Sequence, residues 1–336
     1  MACKKNGVFL APEENIIKVF GDELIAQAKE LCNITHVYLP DNNTKEIIKM
    51  LEGTEIILST WGMPRMSKDI LEGAEKLKII IYGASSVKSF VTDELFNRGI
   101  TVTTSAGVNG RIVAEFTLAL ITFCIKNAWT FVCGKEKTPV FFRREKPWPG
   151  IGGFLEAAIG IIGASSVGKA VINLLSFYPC KVLVYDPYVS EKEIEALGAR
   201  KCELEELIRT SDIVSLHAPN LPELQGMINA ELLAKMKDGS WFINTARGAL
   251  VDEDALIREL KTGRISACLD VTDPEPPGPG SPLYHLSNVI LTPHMAGAIG
   301  TDCKRLGRYC IEELKRYVSG MPPLSPVHKD RLSIMG

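Results

Sequence analysis

The segment from Ala157 to Asp186, AAIGIIGASSVGKAVINLLSFYPCKVLVYD, restricts the fold more tightly than any other stretch of the chain. An apolar run reaches Gly163, Gly168 follows, and Val167, Ala170, Val171, Leu174 and Leu175 then recur at helical spacing. A second apolar run ends in Asp186, 23 residues after Gly163. This is a strand, a tight turn, a helix with one face on a sheet, and a second strand. Gly163 permits the turn, Gly168 lets helix and strand close on each other, and the N–H groups at the helix start would hold a pyrophosphate. Asp186 would accept hydrogen bonds from the adenosine ribose and repel a 2′-phosphate, and Pro187 and Tyr188, not an arginine, follow it. The cofactor expected is therefore NAD rather than NADP. The middle position of this glycine motif is Ser165, whose Cβ intrudes where a pyrophosphate meets bare backbone; its hydroxyl is a substitute phosphate donor, or the loop sits further back. The plain alternative is a glycine turn between strand and helix that binds nothing.

Around this segment the chain alternates short apolar runs with amphipathic ones. Before it, Thr35–Pro40, Glu55–Thr60 and Leu77–Gly83 read as strands and Asp22–Cys32 as a helix. Gly107–Lys126 reads as a long helix leading out of this first unit, and the Pro-, Gly- and Trp-rich stretch Lys135–Gly153 as a loop. The pattern then restarts with strands at Ala157–Gly163, Lys181–Asp186, Asp212–His217, Ser240–Asn244, Ser266–Val271 and Asn288–Thr292. Helices are expected at Asn229–Asp238, Asp252–Thr262 and Thr301–Gly320, with a tail that packs back on the first unit. The fold class expected is α/β, two doubly wound parallel-sheet domains with a cleft between them. A length of 336 residues suits two cores.

Bulk composition excludes several roles. Thirty-eight basic against 40 acidic residues, a net charge of -2, leaves no concentrated basic surface for nucleic acid. Met1–Leu10 has two lysines without an apolar stretch after them, unlike a secretory signal. Phe116–Ile125, broken by two threonines, is too short to span a bilayer, so no membrane partner is expected. Nine cysteines, an odd number without a CxxC pair, point to reduced thiols packed as small hydrophobes in a cytoplasmic protein. The five histidines, His36, His217, His285, His294 and His328, form no metal-ligand spacing.

Three strand ends in the second unit carry polar residues that a buried sheet does not need: Asn244–Gly248, Asp270–Pro276 and Thr292–His294. Ligands of open α/β sheets bind beyond the carboxyl ends of the strands, so these segments can converge beside the nicotinamide. Arg247 offers a fork for a carboxylate. His294 can give a carbonyl oxygen its proton as hydride arrives and take it back in reverse. Glu275 on the other imidazole nitrogen would fix the tautomer and stabilise the imidazolium. Taken singly, Arg247 reads as a surface ion-pair residue, Glu275 as a solvated loop carboxylate and His294 as a structural histidine; the combination behind a dinucleotide fold carries the reading.

GIIGASSVGK, LHAP (Leu216–Pro219), INTARGALVDEDAL (Ile243–Leu256), LDVTDPEP (Leu269–Pro276) and LTPHMAG (Leu291–Gly297) resemble the D-isomer-specific 2-hydroxyacid dehydrogenase family, from about Leu77 to about Gly320. The resemblance implies an NAD-binding Rossmann domain, residues 108–301, inserted in a flavodoxin-like substrate domain, residues 1–107 and 302–336. It implies a homodimer built through the nucleotide domains, and an enzyme that interconverts a D-2-hydroxy acid and a 2-oxo acid. Arg247, Glu275 and His294 match the family's catalytic order. Gly163, Ser165, Ser166, Val167, Gly168, Asp186, His217, Ala218, Pro219, Thr245, Ala246 and Asp270 match its cofactor contacts, Asp270 at the nicotinamide amide. Its substrate-carboxylate loop corresponds to Gly83–Lys88, with contacts at Ser85, Ser86 and Val87; Ser86 replaces the usual Gly and Lys88 the usual Asp. Lys88 reads as solvated, or else as a contact for a second acidic group.

Two other classes share parts of the pattern. An NAD(H)-sensing, corepressor-like interaction protein would need a recruitment tail or a basic module, which the chain lacks. A formate dehydrogenase of the same superfamily has Gln in place of Glu275. Specificity is expected from the first unit's loops and from Lys135–Gly153, where Trp148 or Phe142 would line an apolar substrate pocket or anchor the loop.

Overall fold

The structure is a computed structural model that describes residues 4–38, 43–133 and 151–334. Trp148, Phe142 and nearly all of the Lys135–Gly153 loop lie outside the described residues. The chain forms two compact units, divided between Asn109 and Gly110 and again between Gly297 and Ala298.

In the first unit β1 (Asn6–Phe9), β2 (Asn33–Val37), β3 (Ile56–Ser59), β4 (Ile79–Tyr82) and β5 (Thr101–Thr104) form a parallel sheet in the order β2-β1-β3-β4-β5. That is the flavodoxin-like order. β3 and β4 are buried at all four positions, which is why they read as unbroken apolar runs. The helices are α1 (Glu13–Val19), α2 (Gly21–Leu31), α3 (Thr44–Leu51), α4 (Lys68–Gly73) and α5 (Asp93–Asn97). β2 starts two residues earlier than the apolar pattern indicates, because Asn33 pairs with the Lys5 carbonyl as soon as α2 ends. As an edge strand with no buried residue, it carries no clean alternation.

Helix α6 (Ala106–Ile125) carries the chain into the second unit. It has 20 residues and is long and apolar enough to cross a membrane by length and composition, with half of its most apolar stretch buried in the protein. The apolar segment is thus twice what Phe116–Ile125 suggested. Thr117 and Thr122 do not interrupt it, since their hydroxyls donate to the Val113 and Leu118 carbonyls one turn back.

In the second unit β6 (Ala158–Ile162), β7 (Lys181–Tyr185), β8 (Arg200–Lys201), β9 (Ile213–Leu216), β10 (Trp241–Asn244), β11 (Ser266–Leu269) and β12 (Val289–Leu291) form a parallel sheet. Its order is β12-β11-β10-β9-β6-β7-β8. α7 (Ala128–Cys133) precedes them, and between them run α8 (Ser166–Leu175), α9 (Glu191–Ala196), α10 (Leu204–Thr210), α11 (Ala230–Lys235) and α12 (Glu253–Lys261). Apolar clusters cover both faces, one around Phe242, Leu216 and Leu256, the other around Ile161, Val184 and Ile243. The strand order reverses between β6 and β9, the switch point at which doubly wound sheets bind ligands.

The closing helix α13 (Cys303–Val318) returns to the first unit and packs on α1 and α2. The tail after it lies along β5: Val327 donates to the Val102 carbonyl at 2.8 Å, and Pro326 bridges Thr103 in antiparallel sense. Buried Glu313 anchors this tail by accepting from the N–H groups of Leu324 and Ser325.

Candidate active site

The turn after β6 is built around backbone contacts that exclude a side chain. Gly163 has φ +94°, and a Cβ there would lie 2.7 Å from the Ala218 nitrogen at the end of β9. A Cβ on Gly168 would lie 2.0 Å from the Gly163 carbonyl oxygen. Both glycines are therefore required by the local fold. Ser165 caps α8: its Oγ accepts from the Gly168 N–H at 3.3 Å and donates to the His217 carbonyl at 2.8 Å. The hydroxyl's proton is directed to the His217 carbonyl. The serine ties the β6 turn to the end of β9.

Ser166 and Val167 open α8, so their N–H groups have no intrahelical acceptor. With the helix dipole they suit a phosphate. Asp186, nearly buried, accepts from Ala164 N–H on Oδ2 at 2.7 Å, and from Tyr188 and Val189 N–H on Oδ1 at 2.8 and 3.0 Å. Oδ1 is saturated; Oδ2 keeps one lone pair. A dinucleotide therefore fits the donor set at the helix start and one acceptor at Asp186.

His217 lies at the same switch point. It is buried, and its Nε2 pairs with Ser215 Oγ at 2.8 Å, while Nδ1 has no partner among the described residues. Burial pushes its pKa down to about 3, so the imidazole is neutral. Ala218 and Pro219 follow it, and the Ala218 backbone is what Gly163 packs against.

After β10 the chain turns sharply. Asn244 accepts from Ala246 N–H at 3.0 Å and donates to the Arg247 carbonyl at 2.9 Å, and the Thr245 hydroxyl meets Thr117 at 3.1 Å. Arg247 is partly exposed, with Nη1 donating to the Ala246 carbonyl at 2.6 Å. Gly248 holds this turn against the loop after β11: a Cβ there would lie 2.1 Å from the Thr272 carbonyl. Glu253, at the start of α12, accepts from Asp273 N–H at 2.9 Å, and burial pushes its carboxyl up. Sequence reasoning gives neither Asn244 nor Glu253 a role of its own in this arrangement. The available signals are a polar residue closing a buried strand and an acidic one opening a helix.

The third strand end carries the histidine. His294 has φ +50° and donates its N–H to the Asp270 carbonyl at 2.9 Å. Asp270 is buried, and its carboxyl oxygens accept from Thr292 Oγ1 at 2.6 Å and from Met295 and Ala296 N–H at 2.9 Å. His294 Nδ1 lies 2.5 Å from Glu275 Oε1, and both side chains are about half exposed. The two line a cavity of about 400 Å³ with Asp270 and Leu291; Arg247 is not among its lining residues.

In the first unit the loop after β4 turns its carbonyls inward. Thr60 Oγ1 donates to Gly83, and Thr104 Oγ1 to Ala84 and Ser85. Among the described residues no acceptor takes the N–H groups of Ser85, Ser86 or Val87. The loop therefore offers donors, and Lys88 beside it is exposed.

Comparison with known proteins agrees with this architecture. Residues 144–296 match the family model described as D-isomer specific 2-hydroxyacid dehydrogenase, NAD binding domain. The chain is 30% identical over 85% of its length, and 91% of the relative's, to the hydroxypyruvate reductase of Thermotoga maritima. It is 30% identical over 84% of its length to the D-3-phosphoglycerate dehydrogenase of Archaeoglobus fulgidus, covering only 53% of that longer protein. A phosphoglycerate oxidoreductase from Rhizobium etli superposes with a TM-score of 0.78 at 25% identity, over 97% of this chain and 99% of that one. Two parallel α/β units of this topology, a dinucleotide turn at the switch point and relatives of this identity and coverage place the chain in the D-isomer specific 2-hydroxyacid dehydrogenase family of oxidoreductases.

Proposed function

We propose that this protein interconverts a D-2-hydroxy acid and a 2-oxo acid with NAD(H), and that His294 is the acid and base. The observation that carries the reading is the 2.5 Å contact between Glu275 Oε1 and His294 Nδ1. A carboxylate at Nδ1 fixes the tautomer and leaves Nε2 as the atom that exchanges a proton with substrate. When bound, the cofactor supplies or accepts the hydride at the substrate's C2. In the reducing direction Nε2–H gives its proton to the carbonyl oxygen, making the hydroxyl; in oxidation Nε2 takes it back. Arg247 holds the substrate carboxylate and polarises the adjacent carbonyl. In the first unit, the N–H groups of Ser85, Ser86 and Val87 are donors of the kind a carboxylate takes.

The cofactor is assigned to Ser165, Ser166, Val167 and Gly168 at the pyrophosphate and to Asp186 at the ribose. His217–Pro219 and Thr245–Ala246 line its path, and Asp270 stands at the carboxamide. NAD is favoured over NADP because Asp186 would face a 2′-phosphate with an acidic group. A homodimer through the nucleotide unit is supported by exposed Phe123, Val132, Ile151 and Leu155 on α6, α7 and the 151–155 stretch. Buried free thiols at Cys124, Cys202 and Cys268 support a cytoplasmic setting.

The test is NADH and NADPH oxidation against a panel of 2-oxo acids, for the native protein and for His294→Ala. Turnover with NADH that falls about 10²- to 10⁴-fold in the variant, with NADH binding retained, is the expected result. Undiminished turnover in the variant removes His294 from the mechanism. Silence of the native protein across the panel favours a dinucleotide-sensing protein.

A further inference from the structure

The cavity beside His294 and Glu275 has walls formed by Pro276, Pro277, Tyr284, Leu291 and Pro293. Its polar side chains are already engaged within the protein. Asp270 accepts from Thr292 Oγ1 and two backbone N–H groups, Thr272 Oγ1 donates to the Pro274 carbonyl, and Tyr284 OH donates to the Pro277 carbonyl at 2.9 Å. Glu275 Oε1 and His294 Nδ1 pair with each other. What remains is apolar surface, the His294 Nε2, and two acceptors, Glu275 Oε2 and the second lone pair of Asp270 Oδ2. Among the described residues no lysine or arginine lines the cavity, and its acids are Asp270 and Glu275. An anionic substituent would meet acids and no free donor apart from His294, whereas an apolar one covers the proline, tyrosine and leucine walls. A volume of about 400 Å³ accommodates a branched or aromatic group.

From this we infer that the cavity is the side-chain subsite for the substrate, and that it selects 2-oxo acids with an uncharged branched or aromatic side chain over phosphorylated ones. The inference rests on the proposed dehydrogenase reading. It commits Leu291 and Tyr284, both on the chain segment leading into that reading's histidine, as specificity-determining residues.

The experiment measures kcat/KM with NADH for glyoxylate, 4-methyl-2-oxopentanoate, phenylpyruvate and 3-phosphohydroxypyruvate. One of the two apolar substrates should exceed both glyoxylate and 3-phosphohydroxypyruvate by at least about tenfold, the scale of apolar pocket discrimination. Leu291→Trp, which fills the cavity, should lower the ratio of apolar substrate to glyoxylate by about tenfold or more. Tyr284 is 46% exposed, so Tyr284→Lys is a second variant that spares the core; it should raise the relative rate with 3-phosphohydroxypyruvate. Folding of both is checked by circular dichroism. A native preference for glyoxylate or 3-phosphohydroxypyruvate, or ratios unmoved in both folded variants, overturns the subsite while leaving the dehydrogenase reading intact. Absence of turnover with every substrate and both cofactors overturns the dehydrogenase reading, and the subsite with it.

Discussion

Asp270 accepts the backbone N–H of His294 on its carbonyl oxygen at 2.9 Å, and its carboxyl oxygens bind the N–H groups of the next two residues. His294 is thereby held at φ +50°, a left-handed conformation that costs a non-glycine residue about 1–3 kcal/mol. Asp270→Asn keeps the size but turns an amide NH₂ toward one of these donors. Two consequences are expected: a loss of about 1–3 kcal/mol in urea unfolding, and a fall in kcat of about tenfold or more as His294 loses its orientation. Unchanged stability together with unchanged kcat would show that Asp270 does not hold the loop.

The glycine turn allows a sharper comparison. A methyl group at Gly168 meets the Gly163 carbonyl at 2.0 Å, and Gly163 cannot retreat because it already abuts Ala218. Gly168→Ala should cost more than about 3 kcal/mol and abolish NADH binding. Gly107, in the first turn of α6, has nothing within 4 Å of the place a methyl would take, so Gly107→Ala should be neutral or stabilising by up to about 1 kcal/mol. Equal effects of the two substitutions, read by thermal melts and fluorescence titration with NADH, would refute the packing argument.

These residues also mark what is legible in a sequence. Gly163, Gly168 and Asp186 are visible because a positive φ, a close approach and a buried acceptor each demand one residue type at a fixed spacing. β3, β4 and most of the second unit's strands are visible because burial on both faces leaves short runs that are mainly apolar. β1, β5 and β8 escape the reading: two are only four residues long, β5 is three-quarters threonine, and β8 has two residues. The role of Ser165 is illegible for another reason. Its hydroxyl is satisfied by His217, 52 residues away, and only the strand order β6-β9 brings them together. The same holds for the carboxyl of Asp270, which serves its own neighbouring loop through three bonds that spacing alone does not reveal.

His217 predicts a pH dependence. Its folded pKa of about 3 lies below the ordinary histidine value of 6.5, so the unfolded chain binds a proton that the folded chain refuses. Above pH 6.5 neither state is protonated and the residue has no linkage effect. As pH falls from 6.5 toward 3, stability is lost at about 1.4 kcal/mol per pH unit, or about 2 kcal/mol by pH 5. His217→Asn, which cannot titrate, should therefore show a smaller difference in unfolding free energy between about pH 7 and pH 5 than the native protein. Equal differences would mean that His217 is protonated in the folded state.

Glu253 makes the last test, because it joins two of the three strand ends. It opens α12, directly after the Arg247 turn, and accepts from Asp273 N–H in the loop that leads to Glu275. Gly248 against Thr272 is another point of attachment between these loops. Glu253→Ala leaves the Asp273 N–H without its acceptor and frees the Glu275 loop at that point. Glu253→Gln keeps an oxygen in the same place. If the hydrogen bond is what matters, the alanine variant should lose about tenfold in kcat through misplacement of Glu275, and the glutamine variant should stay within a few-fold of native. A glutamine variant as impaired as alanine would shift the role from the hydrogen bond to the charge of Glu253, and two native-like variants would leave Gly248 as the attachment that holds the loops together.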